Sequence, residues 1–287
     1  MSEPLLAHFF DPASSSFTHV IACPISGRAA VIDPVLDFDA KAARTSGECA
    51  ERVLGFLADE ELSLEWVLET HVHADHLSGA HFLRGRRGGR VAIGAEVRTV
   101  QRAFVDLFGL QGRVANDGSQ FDRLWRDGER FAMGALDFQV LATPGHTVDG
   151  VTYVVGRHAF VGDTVFRASY GTARCDFPGG DAGRLFDSVQ RIYALPRDTR
   201  VHFCHDYPPV GHEPVESQTV AELRSHNVHL TAQTTRDEFV ALRRARDATL
   251  PPPALLIPAV QVNIDAGRLP AAEGNGRSYL RLPLNSM

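Results

Sequence analysis

The stretch Thr70-His71-Val72-His73-Ala74-Asp75-His76 sets three histidines and an aspartate directly behind the apolar run Leu64-Glu65-Trp66-Val67-Leu68. The run reads as a buried strand: it is short, apolar and free of turn-forming residues. Strand ends deliver side chains into loops at a sheet edge, where binding residues collect. Crowding that many polar groups against an apolar strand carries a desolvation cost unless they share a partner. Imidazole and carboxylate together suit zinc, iron or manganese. The motif therefore reads as one wall of a metal site.

Working outward, three more segments repeat the arrangement of polar residues behind an apolar strand. They are Thr143-Pro144-Gly145-His146-Thr147, Val161-Gly162-Asp163-Thr164 and Cys204-His205-Asp206-Tyr207. The strands that deliver them are read at 136–142 and 150–155, at 158–161 and at 200–204. On the N-terminal side, 17–23 and 28–33 form a hairpin about Ser26-Gly27. A helix over 46–62 shows Val53, Leu54 and Leu57 at helical spacing, and 90–93 with 96–108 forms a second strand-helix pair. Asp181–Ala194 reads as a helix stopped at Pro196. Thr235-Arg236-Asp237-Glu238 is a capping box, and the helix it opens ends before Pro251-Pro252-Pro253. Two sheets packed face to face with helices outside satisfy this order. The chain, 1–287, reads as a single domain with a helical and irregular C-terminal extension from about 213 to 287.

Bulk properties narrow the function. The net charge of −6 comes with no basic stripe, which argues against nucleic acid, whose phosphates require clustered Lys and Arg. The basic cluster Arg84 to Arg90 contains three glycines and reads as a solvated loop. No apolar run approaches the roughly 20 residues that span a bilayer, and no secretory or transit signal is visible at the N-terminus. A cytoplasmic location is expected, with Cys23, Cys49, Cys175 and Cys204 as reduced thiols. Cys175 has no recognisable general base beside it and reads as structural. A homodimer is possible.

The four segments, in this order, resemble the metallo-β-lactamase superfamily. The resemblance implies an αββα sandwich of two mixed β-sheets with the metal at one end. Two branches fit: glyoxalase II, a dinuclear thioester hydrolase, and persulfide dioxygenase, which uses one Fe(II) and O₂. Arg174-Cys175-Asp176-Phe177 resembles the Arg-Thr-Asp-Phe of the dioxygenases, His205-Asp206-Tyr207 resembles their His-Asp-Tyr, and Arg224 with Asn227 matches their spaced Arg/Asn pair. The longer segment from Tyr170 to Asp181 resembles a bacterial subgroup called β-lactamase-like hydrolase, grouped with the dioxygenases. It departs from the commoner Cys-Gly-Arg by carrying Tyr170-Gly171-Thr172-Ala173-Arg174, which changes the thiol-substrate contacts and leaves the metal residues intact.

Carried over, the resemblance implies His71, His146 and Asp163 as ligands to one Fe(II), with His73, Asp75, His76 and His205 orienting them. Tyr170, Arg174, Tyr207 and Arg224 would bind glutathione persulfide, which O₂ oxidises to sulfite and glutathione. Every ligand for two zinc ions is also present, so the choice between one metal and two rests on the neighbouring motifs.

Overall fold

Every residue of Ser16–Ala22 is buried, as befits a strand covered on both faces. A computed structural model of the chain describes residues 3–286. Strands β1 (Leu5–Asp11), β2 (Ser16–Ala22) and β3 (Arg28–Ile32) run antiparallel. A ribbon of β4 (Val35–Asp39) and β5 (Arg44–Ser46) leads to helix α1 (Glu48–Asp59). Next come β6 (Ser63–Leu68), the short β7 (Leu77–Ser78), α2 (Ala80–Arg87) and β8 (Arg90–Gly94). Helix α3 (Val97–Leu107) and β9 (Arg123–Trp125) close the first half. Its sheet has the order β1-β2-β3-β6-β8-β9, parallel from β3 onward.

The second half supplies β10 (Arg130–Met133), β11 (Leu136–Ala142), β12 (Val151–Val155) and β13 (His158–Phe160). Helix α4 (Ala182–Tyr193), β14 (Arg200–His202) and β15 (Ser217–Thr219) follow. Helices α5 (Val220–His226), α6 (Arg236–Asp247) and α7 (Leu256–Asn263) complete the described elements. The sheet order is β10-β11-β12-β13-β14-β15, antiparallel except for the parallel β13–β14 pair.

Side-chain alternation assigns the layers. Val20, Val31 and Val67 face outward and bury Val53, Leu57, Leu83 and Phe104 of the first three helices. Ile21, Ile32 and Leu68, one residue away on the same strands, face inward against Phe138, Val140 and Tyr153 of the second sheet. Ala159, Val201 and Phe203 in turn bury Leu185, Val189, Leu223 and Phe239 of α4 to α6. The result is an αββα sandwich with two mixed sheets and seven helices among the described residues.

Two expectations change. Arg84 to Arg90 is not a loop: α2 runs to Arg87, only Gly88 and Gly89 are irregular, and β8 starts at Arg90. Leu83 anchors the helix in the core, while Arg84 and Arg86 reach Asp122 and Glu51. The extension expected from about 213 is also not an appendage at its start. β15 adds an edge strand to the second sheet, and α5 and α6 complete its outer helix layer. The capping box is present as read, with Thr235 and Glu238 bonded reciprocally.

Candidate metal centre

The site forms where strands end at one edge of the sandwich. β6 delivers His71 to His76, the β11–β12 loop delivers His146, and the turns after β13 and β14 deliver Asp163 and His205. Two glycines make this possible. Gly145 has φ +140°, and a Cβ there would lie 2.3 Å from the Leu185 backbone nitrogen. Gly162 has φ +53°, and its Cβ would lie 2.3 Å from Thr70 Oγ1. Both positions need the left-handed backbone and the missing side chain.

His71 Nε2 and His146 Nε2 lie 3.9 and 3.6 Å from Asp163 Oδ2. On the other side, His205 Nε2 is 3.3 Å from Asp163 Oδ1 and 3.0 Å from Asp75 Oδ2, and His76 Nδ1 is 3.5 Å from Asp75 Oδ1. His71 and His205 are almost completely buried, and His146 nearly so. The three expected ligands and the four residues expected to orient them lie together at this edge.

Hydrogen bonds fix which nitrogen of each ring is free. Thr70 Oγ1 donates to Asp33 Oδ2 at 2.8 Å, so at 3.0 Å it accepts from His71 Nδ1. The His146 Nδ1 donates to the Arg174 carbonyl at 2.7 Å, and His205 Nδ1 to the Ser15 carbonyl at 3.1 Å. His73 instead donates through Nε2 to Asp33 Oδ1 at 2.9 Å. Each ring is thus anchored through one nitrogen, the arrangement that prepares the other for a cation. The buried His71 Nε2, His73 Nδ1, His76 Nε2, His205 Nε2 and Asp163 Oδ1 have no hydrogen-bond partner. Orphaned buried polar atoms are costly, and these five, spread over adjoining His/Asp clusters, fit a metal. Burial, with His73 and His146 alongside, pushes His71 well below its ordinary value, leaving it an unprotonated base.

Residues not singled out from sequence complete the centre. Asp33, at the end of β3 with φ +49°, accepts from His73, from the Thr70 hydroxyl and from the Thr70 backbone N–H. Burial alone would raise its carboxyl, but the His73 ring and the Thr70 donors hold it below the usual carboxylate range. Asp149 accepts from the Val72 backbone N–H at 2.9 Å and ties the His146 loop to the motif. Both are lone acids in turns, with no local pattern that points to the site.

A cleft of about 570 Å³ opens beside His146 and Asp163 and is lined by Tyr170, Arg174 and Tyr207. Tyr170 donates its hydroxyl to the Tyr207 carbonyl. Arg174 is already engaged: it forks onto Asp176 at 2.6 Å through two nitrogens and donates to the Pro251 carbonyl. Arg224 is exposed on α5 and does not line the cleft. Asn227 is buried and holds the Gly171 carbonyl and the His229 and Leu230 backbone, a folding role. Arg246 lines the cleft without an ion-pair partner among the described residues. Cys175 is buried, and burial pushes its thiol up to about 12, in keeping with a structural residue.

Comparison with known proteins places this geometry. The family model "Metallo-beta-lactamase superfamily" matches residues 12–205. The chain is 48% identical to a "Probable metallo-hydrolase" of Burkholderia pseudomallei, covering 97% of this chain and 98% of that one. It is 48% identical to a "Beta-lactamase hydrolase-like protein" of Agrobacterium fabrum, covering 98% of this chain but 65% of that longer one. Identity to the human persulfide dioxygenase ETHE1 is 31%, over 92% of this chain and 89% of that one. The crystal structure of ETHE1 from Myxococcus xanthus superposes with a TM-score of 0.74 at 32% identity, covering 92% of this chain and all of that one. The strand-end histidines and aspartates form clusters that fit a metal, and the chain belongs to the metallo-β-lactamase superfamily.

Proposed function

We propose that this chain is a persulfide dioxygenase that oxidises glutathione persulfide with O₂ at one Fe(II). The observation that carries the reading is the trio His71, His146 and Asp163, two of whose members border the cleft. Two imidazoles and one carboxylate with open positions are the ligand set of non-haem iron oxygenases. Iron bound there would supply a centre at which O₂ and a sulfur atom meet. Likeness to ETHE1 in sequence and fold supports the assignment.

The chain's own residues would do the rest. Thr70 and the Arg174 carbonyl orient the two imidazoles, and the cleft is the size of a small-molecule site. Glutathione carries two carboxylates, for which Arg246 is the unengaged guanidinium on the wall. Arg174 and Asp176 instead brace the 174–177 segment against the turn at Pro251. The reaction balances as persulfide plus O₂ plus water giving thiol, sulfite and two protons. The outer sulfur loses four electrons and O₂ gains them.

A second reading, a dinuclear zinc hydrolase of the glyoxalase II type, is favoured by the orphaned nitrogens of His73, His76 and His205 around Asp75. Metal content and oxygen uptake separate the two. The dioxygenase reading expects about one iron per chain and one sulfite formed per O₂ consumed with glutathione persulfide. Two zinc ions per chain, with no uptake by iron-loaded protein, would overturn it in favour of the hydrolase.

A further inference from the structure

Away from this centre, a second group of histidines lies at the seam between the two sheets. His8 on β1 sits directly across from His19 on β2, and His202 of β14 closes the group from the opposite sheet. One ring nitrogen from each of the three lies within 4.8 Å of the other two. His19 and His202 are buried, while His8 is half-buried.

The hydrogen bonds assign the free nitrogens. His19 Nε2 donates to the Phe203 carbonyl at 2.9 Å, so the neutral ring turns a bare Nδ1 toward His8 Nδ1, 2.8 Å away. A relay does the same for His202. His158 Nε2 donates to Glu3 Oε1 at 3.0 Å, which leaves His158 Nδ1 to accept from His202 Nε2 at 3.0 Å. His202 Nδ1 is then a lone pair, buried and without any partner. Phe160 stacks on His202 at 4.6 Å and Phe17 on His19 at 5.8 Å, giving the group a dry shell. Nothing in the persulfide chemistry uses these residues.

We propose that His8, His19 and His202 form a second metal site, structural in role, that takes a zinc-like divalent ion and clamps β1 and β2 to β14. Imidazole is a preferred ligand of Zn²⁺, and three rings that leave a fourth position for water match its four-coordinate habit. Tetrahedral bonds of about 2.0–2.1 Å would set the nitrogens roughly 3.3 Å apart, so the His8–His19 contact needs to open by about half an ångström. Binding requires His8 only to shift its proton to Nε2. Burial already holds His19 down to about 3 and His202 well below its ordinary value, so protons do not compete at neutral pH.

The test is zinc stoichiometry on apo protein reloaded with zinc alone and passed through a desalting column. Wild type is expected to retain one zinc more per chain than His8→Ala, whatever number the Asp163 centre holds. Zinc should also raise the melting temperature further in wild type than in the variant, with turnover per catalytic metal equal in both. His8→Phe preserves the ring packing and serves as the readout if His8→Ala folds poorly. Equal retained zinc in wild type and His8→Phe overturns the proposal, as does zinc held only at millimolar concentration.

Discussion

At the scale of single residues, the metal centre depends on proton positions as much as on ligands. Asp163 contacts His71, His146 and His205, so Asp163→Ala should abolish iron retention and activity together; iron in the purified variant would contradict this. Asp33 acts one step further out. Asp33→Asn places an amide N–H where the Thr70 hydroxyl now donates, so the hydroxyl turns toward His71 Nδ1 and drives that ring's proton to the ligating nitrogen. A roughly 10–100-fold loss of metal affinity is expected, the usual effect of removing such a support. A metal titration matching wild type would refute the relay. Arg246→Ala should raise KM for glutathione persulfide about tenfold or more with kcat little changed, whereas Arg174→Ala, which frees Asp176 and the Pro251 carbonyl, should mainly lower stability.

At the scale of elements, α7 holds the histidine motif in shape from nearly two hundred residues away in sequence. Asn263 Nδ2 donates to the His73 and His76 carbonyls at 2.9 and 2.8 Å, and Oδ1 accepts from the Ser78 backbone N–H at 2.7 Å. Asn263→Ala strands three buried backbone groups, a cost of roughly 2–4 kcal/mol. That should lower the melting temperature by about 5–10 °C and weaken metal binding; an unchanged melt would show that α7 is not a support. The helix was not foreseen because its eight residues contain a proline and little periodicity, and its role lies in one amide. Strand β6 and helices α3 and α4 were legible within one or two residues because their apolar spacing is regular and their ends carry turn residues or a cap. The helix α2 was misread for the opposite reason: its arginines and glycine obscure a short apolar face, Ala80 and Leu83, that only packing reveals.

At the scale of the molecule, buried histidines link stability to metal and to acid. Chelation should lower the melting temperature reversibly, since a ligand that binds only the folded state stabilises it. The His8, His19 and His202 group adds a pH term. All three are lowered, chiefly by burial, with one another, His158 and Arg200 lowering further and Glu216 opposing at His8. A base lowered in the fold takes up its proton more readily when unfolded. Its stabilisation is therefore present above about pH 6.5 and is lost as pH falls toward 3, by up to ~1.4 kcal/mol per pH unit per histidine. Melting of apo protein between pH 7.5 and 5 should show this decline, and His19→Phe should flatten it; a flat wild-type profile would rule it out.

Local sequence alone determined the strands that lead into the polar segments, the order of those segments and the residue types for a metal, because these are recorded in spacing and side-chain chemistry. It marked the segments that hold His71, His146, Asp163 and their four companions for the same reason, while the division into ligands and companions came from the family resemblance. Only the tertiary structure decided that Arg174 is engaged, that Arg224 lies elsewhere, and that Asp33, Asp149 and Asn263 serve the centre. Those facts depend on which backbone groups and acids meet across two sheets and a distant helix, and a single turn acid or amide carries no local sign of the partner it will find.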